Sequence, residues 1–289
     1  MATQTRLAFS PTNDLIFDNL DKVNLKLVDV SIDFLLIAGG GNGGSGAGVK
    51  ASAGGGGAGG YLFYTGQTII PGTYPIVIGG ATQNTTFLGY TALAGGNGGA
   101  PKTSGSNGGS GGGGGGNGDD STVYSGGTGS QGTAGGNGGT GTGVRAGAGG
   151  GGGAGQRGNA IDGSTANGGG RGGYAKQFLT FNTNWYMGGG GGSKYEATGG
   201  DNFDGPGGSS DDLTIKVGGD GNNGGIGYDG VTNTGSGGGG GATGGSGSSG
   251  VVLIKYLTNS FPNTTGGTPA VDGDYTIRTF TSNGNLILS

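Results

Sequence analysis

The chain has 289 residues, of which 87 are glycine and none is cysteine or histidine, and its formal net charge is −4 at pH 7. No disulfide or thiolate metal site can brace such a chain, and the commonest general base and metal ligand are both missing. An acidic balance without any run of Lys or Arg excludes nucleic-acid binding through a basic face, and consecutive glycines with only 7 prolines exclude collagen.

In chain order, Met1–Arg6 has no apolar signal core, and no stretch reaches the roughly 18–20 apolar residues of a spanning helix. No leader and no membrane insertion are expected. Within Asn24–Ile37, Val28, Val30, Ile32 and Phe34 alternate with Asp29, Ser31 and Asp33, the pattern of a half-buried strand. It then becomes continuously apolar through Ile37 and runs into Ala38-Gly39-Gly40-Gly41. Tyr61–Tyr64 and Thr68–Ile78 read as further strands, with Pro71-Gly72 at a tight turn where glycine supplies φ > 0. Thr85–Leu93 offers another. From Gly95 to Gly250 glycine dominates. Val251–Tyr256 closes that region with a strand, and Tyr275–Leu288 reads as a hairpin turning at Asn283-Gly284. Helical periodicity is missing throughout, and glycine costs about 1 kcal/mol relative to alanine at a helical position. No α-helix is expected.

The glycine tracts allow two readings. One is a flexible linker. The other is an array of polyglycine-II helices, with three residues per turn, a rise of about 3.1 Å and no internal hydrogen bonds. Every N–H and C=O then points outward and needs a partner in a neighbouring helix. Interior helices should be pure glycine, as in Gly111–Gly116, Gly149–Gly153, Gly188–Gly192 and Gly237–Gly241, while outer ones admit Ser, Asn, Thr or Ala on one face. Tracts of six to eight residues would be about 19–25 Å long. The expected fold is therefore mostly β and irregular: short β-strand islands flanking a polyglycine-II bundle. The expected division is an N-terminal segment 1–32, a β-rich base 33–94, the bundle with display loops 95–250, and a C-terminal strand and hairpin 251–289.

Leu35–Gly41, the Ala-flanked glycines of Gly54–Gly60, Ile70–Gly80, Gly237–Gly241, Gly247–Tyr256 and Tyr275–Gly284 occur in that order. Together they resemble the glycine-rich domain of bacteriophage tail-fibre and tail-tip proteins, over roughly residues 33–289. The resemblance implies a virion-surface protein assembled in a host cytoplasm, with a polyglycine-II sandwich whose loops touch a bacterial receptor. Partners implied are other virion proteins, through residues 1–32, and a bacterial surface glycan or outer-membrane protein. An alternating-strand N-terminus suits a homotrimer, although nothing in the sequence counts chains. Tyr275–Leu288 commonly precedes such a domain and here follows it.

Motifs for chemistry are sparse. Gly-x-Gly-x-x-Gly strings are expected by chance at this composition, and no phosphate-binding Gly-x-x-x-x-Gly-Lys-Ser/Thr occurs. Gly224–Thr232 fits a calcium nonapeptide once, where tandem copies are needed. Asp201, Asp204, Asp211 and Asp212 carry calcium-type oxygens but read as acidic turns, as do Asp119-Asp120. Glu196 is the only glutamate, and serines lack a histidine partner. Neither enzymatic activity nor a cofactor or metal is expected. The aromatics in the non-glycine interruptions are the candidate receptor-binding residues: Tyr124, Phe178, Phe181, Trp185, Tyr186, Tyr195, Phe203 and Tyr228, on loops around 119–125, 174–187, 195–212 and 228–234. The competing reading has them capping the bundle, for Tyr124 and Tyr228 above all. A capsid or collar decoration is the alternative function. An ice-binding protein is the third, disfavoured by the irregular aromatic insertions.

Overall fold

The computed structural model describes residues 30–46, 51–119, 121–140, 145–160, 168–196 and 204–289. The attachment segment expected at 1–32 falls outside these up to residue 29. The longer strands are β1 (Val30–Ile37), β2 (Tyr61–Ile69), β3 (Gly72–Val77), β4 (Thr85–Phe87), β5 (Tyr90–Ala92), β6 (Val251–Leu257), β7 (Thr268–Asp272), β8 (Tyr275–Phe280) and β9 (Gly284–Leu288). One antiparallel sheet has the order β7-β8-β6-β1-β2, and a second has β9-β3-β4-β5. No α-helix occurs among the described residues, which carry one 3-10 turn at Thr258–Ser260.

The two sheets pack face to face. Ile32, Phe34 and Leu36 of β1 meet Ile76, Phe87, Leu286 and Leu288 of the second sheet in one buried core. Leu35 and Ile37 point the other way and form a second core with Val251, Leu253 and Ile277. The sheet is thus covered on both faces, which is why Phe34–Ile37 stops alternating and becomes continuously apolar.

Two expected turns are corrected. Tyr275–Leu288 is not a hairpin: β8 pairs with β6 and β7, whereas β9 pairs with β3 in the other sheet. The hairpin lies upstream, between β7 and β8, where Gly273 supplies the positive φ of +60° that a two-residue turn requires. Asn283 instead sits at the crossing between sheets, its Oδ1 accepting the Ile78 N–H at 2.8 Å. Pro71-Gly72 is likewise a crossing, since β2 pairs with β1 and β3 with β9, and Gly72 opens the strand without a positive φ.

The glycine tracts form a hexagonal array of three-fold helices. Along 54–60, Gly54, Gly57 and Gly60 donate to the carbonyls of Gly99, Gly96 and Leu93 at 2.8–2.9 Å. Gly55 and Ala58 donate to Gly149 and Gly152, and Gly56 and Gly59 to Gly238 and Gly235. On the acceptor side, Gly54, Gly57 and Gly60 receive from Gly44, Gly41 and Ala38, Gly55 and Ala58 from Gly113 and Ser110, and Gly56 from Gly190. Every third residue addresses the same neighbour, as three residues per turn requires. Segment 54–60 is therefore the axis, ringed by 38–44, 93–99, 110–113, 149–152, 188–193 and 235–238. Two of these, 38–44 and the axis itself, belong to the stretch expected to be the base.

On the outward face of ring segment 93–99 and on helices beyond the ring, side chains recur every third residue: Ala94, Asn97 and Ala100; Ala134, Asn137 and Thr140; Thr243, Ser246 and Ser249. Several also cap neighbouring backbone. Asn97 Oδ1 accepts the Asn42 N–H at 2.9 Å, Asn107 Oδ1 the Thr128 N–H at 2.8 Å, Asn137 Oδ1 the Gly126 N–H at 3.0 Å, and Asp220 Oδ1 the Gly207 N–H at 2.7 Å. Surface amides and one carboxylate thus satisfy donors that the next helix would take in an infinite lattice.

The bundle grows directly out of the first sheet. Ile37 stands opposite both Tyr61 and Val251. One residue further along each strand the chain becomes glycine helix, at Ala38, Gly60 and Gly250, so three strands change conformation at a single level. The bundle consequently has an end against the sandwich and a far end.

Candidate functional site

The structure separates the expected receptor-binding aromatics. Phe178, Phe181 and Tyr186 are buried, at 6%, 4% and 4% exposure, within the second core. There they pack: segment 175–187 covers the sheet face made by Leu35, Ile37, Leu253 and Ile277, which would otherwise meet water. Phe178 packs edge-on to Tyr61 with centroids 5.2 Å apart, and Phe181 to Phe63 at 5.7 Å. Lys176 lies over the Tyr61 and Phe178 rings and donates to the Tyr61 hydroxyl at 3.0 Å. Tyr124 is half-buried at the far end, its carbonyl accepting the Gly138 N–H. Tyr228 is exposed on the bundle flank, while its backbone bridges Asp220 and Gly239. Tyr195 pairs through its backbone with Ala146. Phe203 lies outside the described residues, as do Asp201 and Asp120.

Trp185 remains. Trp185–Tyr186 is a two-residue strand paired antiparallel with Lys176–Gln177, so adjacent side chains leave on opposite faces. Tyr186 packs into the core and Trp185 lines a groove of about 360 Å³ between the sandwich and the bundle, which Tyr186 also borders. The apolar lining comes from Trp185, Ile215, Val217, Val231 and Val251. The polar lining comes from Asn184, Tyr186, Thr232, Asn233, Thr234, Thr279 and Thr281, and no Asp, Glu, Lys or Arg borders it.

Two braced turns hold the walls. In 210–215, the Ser210 N–H donates to the Ile215 carbonyl at 2.8 Å and the Ile215 N–H to Ser210 Oγ at 3.0 Å. Asp212 accepts from the Ser210 hydroxyl and from the Thr214 N–H and hydroxyl, the latter two at 3.1 and 2.8 Å. These donors, the Ser210 hydroxyl foremost, hold its carboxyl below the usual carboxylate range. In 231–235, Val231 N–H donates to the Val217 carbonyl at 2.8 Å and Thr234 Oγ1 to the Val231 carbonyl at 2.5 Å. Ile215 and Val231 are left 49% and 47% exposed on these fixed turns.

Part of this polar lining is uncommitted, whereas the side chains of Tyr186, Asn233 and Thr234 are hydrogen-bonded within the protein. Among the described residues, the Trp185 indole N–H and the hydroxyls of Thr232, Thr279 and Thr281 make no hydrogen bond to protein. The Asn184 amide has only a 3.5 Å contact with the Tyr186 hydroxyl. An apolar floor with free donors and acceptors at its edge can orient a small amphipathic ligand without covalent chemistry. Reading aromatics alone found Trp185 and missed Ile215, Val217 and Val231. The available signal was the aliphatic alternation in Leu213-Thr214-Ile215-Lys216-Val217 amid glycine and serine.

Residues 25–257 match the family model described as a glycine-rich domain. No curated protein and no solved structure matches the chain.

Proposed function

The chain belongs to the glycine-rich domain family, and from that premise we propose that it is a bacteriophage virion protein. In this reading it is a tail-fibre or tail-tip adhesin that attaches non-covalently, without cofactor, to a receptor on the host-cell surface. The observation that carries the proposal is the Trp185 groove. It is a charge-free, partly apolar depression with unused hydrogen-bonding groups, seated where a rigid hydrogen-bonded lattice joins a β-sandwich. Rigid support lowers the ordering cost of binding. Tyr228, exposed on the flank, and Tyr124 at the far end are secondary contacts in this view.

The test is binding of fluorescently labelled protein to a panel of intact bacteria, beside Trp185→Ala. Saturable binding to a narrow set of strains, lost in the folded variant, is expected. Equal binding by protein and variant would remove the groove from the function. Absence of binding to every strain, the phage's own host included, would leave the second reading, a capsid or collar decoration. That reading draws support from the burial of Phe178, Phe181 and Tyr186, which makes them packing residues.

A further inference from the structure

We propose that the Trp185 groove is a subsite for an uncharged sugar, of one or two hexose rings at a time, within a bacterial surface polysaccharide. The inference rests on the adhesin reading and specifies what that surface contacts.

Charge is the first argument. No Asp, Glu, Lys or Arg side chain borders the groove, and its one phenol, Tyr186, is hydrogen-bonded to Asn182. Lys216, between the lining residues Ile215 and Val217, is held by Asp220 at 2.7 Å, so it is no free cation for an acidic sugar. A uronate or sialate entering here would shed hydration without gaining a counter-charge. A neutral saccharide has no such penalty.

Chemical pattern is the second. A pyranose has a face of C–H groups and a rim of hydroxyls that both donate and accept. The half-covered indole of Trp185, flanked by Ile215 and Val231, offers a flat polarisable surface to the C–H face. The indole N–H donates only, whereas the Thr232, Thr279 and Thr281 hydroxyls donate or accept. That mixture matches sugar hydroxyls better than it matches a peptide backbone, which presents its donors and acceptors at fixed spacing.

Size is the third. About 360 Å³ lies at the small end of ligand pockets, and a stable protein interface buries roughly 800 Å² on each side. A surface polysaccharide overcomes weak single-site binding by repetition along its chain. The nearby sheet edge does not enlarge the surface, because Pro269 removes a backbone donor from β7.

Trp185 is the single tryptophan in 289 residues, so its emission reports the groove alone. The experiment titrates the full chain with maltotriose, cellotriose, mannotriose and chitotriose as neutral probes, trigalacturonate as the anionic probe, and a detergent-solubilised outer-membrane protein extract. A saturable shift of Trp185 emission at millimolar concentration is expected with at least one neutral trisaccharide and not with trigalacturonate. Thr279→Val keeps shape and removes one hydroxyl, and is expected to weaken that titration by about five- to tenfold. If none of the neutral sugars moves the emission, or the anionic sugar binds as well, the ligand class is wrong. A response to the protein extract alone makes the groove a protein interface and equally overturns it. Trp185-dependent adhesion to cells in either case leaves the adhesin reading standing, whereas sugar binding without adhesion to any cell removes that reading and keeps the sugar site.

Discussion

Gly56→Ala tests whether backbone packing, rather than side-chain burial, holds the bundle together. Gly56 donates to the Gly238 carbonyl and accepts from the Gly190 N–H, both at 2.8 Å. A Cβ there would overlap the Gly41 carbonyl. For segment 38–46 to withdraw, the Gly41 bond to Gly57 at 2.8 Å and the Gly238 bond to Gly41 at 3.1 Å must stretch or break. Overpacking costs about 1–3 kcal/mol, and each buried group left without a partner costs about 1–3 kcal/mol. With one such cost for each of the two bonds, the total is about 3–9 kcal/mol, far above the roughly 0.4–1 kcal/mol gained by stiffening the unfolded chain. The matched control is Gly72→Ala. Its added Cβ meets nothing nearer than the Tyr74 side chain at 3.4 Å, without a positive φ, so a change within about 0.5 kcal/mol or a slight gain is expected. Thermal and denaturant melts of both variants provide the assay. Gly56→Ala should lose more than about 6 °C or fail to fold. A melting point matching that of Gly72→Ala would refute the close-packed lattice.

Phe178→Ala should destabilise by about 3–5 kcal/mol, measured by denaturation, whereas Trp185→Ala should cost less and act on binding. Hydrogen exchange should protect the amides of 54–60, 149–153, 188–192 and 237–241 close to the global unfolding limit, although none of these tracts is α-helix and only Gly241 falls in a strand. Asn97→Ala should cost about 0.5–1.5 kcal/mol by stripping the Asn42 N–H of its acceptor. Because the folded carboxyl of Asp212 titrates below its ordinary value of 3.8, its bracing of the 210–215 turn is intact above that value and lost as pH falls through the depressed one. Trp185 emission should therefore be flat from neutral pH into the ordinary carboxylate range and change below it. In Asp212→Asn that acid transition should disappear.

Much of this architecture was legible because glycine runs leave the backbone few options. The pure tracts 149–153, 188–192 and 237–241 lie in the ring where all sides are occupied. The strands at 30–37 and 251–257 were visible from their apolar patterns. The pairing partners were not. Nothing local distinguishes a turn joining two strands of one sheet from a crossing between sheets, so Asn283-Gly284 and Pro71-Gly72 were misread. The candidate site was legible at one residue, Trp185. Phe178, Phe181 and Tyr186 share its segment and chemistry, and only the two-residue strand phase, together with the bare sheet face they cover, decides which ring goes inward. The three-residue spacing of Ala94, Asn97 and Ala100 was a readable mark of an outer helix with one exposed edge.

The axial position of 54–60 also has a temporal side. Two of the carbonyls this segment donates to, Gly235 and Gly238, leave the ribosome some 180 residues after it. The central strand β1 likewise waits for β6, Val251–Leu257, before both its edges are paired. Until then the nascent chain holds unpaired glycine backbone and a half-covered apolar strand, a slow, non-local route to the native state. Chains stalled before Val251 should therefore accumulate as protease-sensitive species, and emergence of Val251–Leu257 should set the moment at which the whole lattice locks.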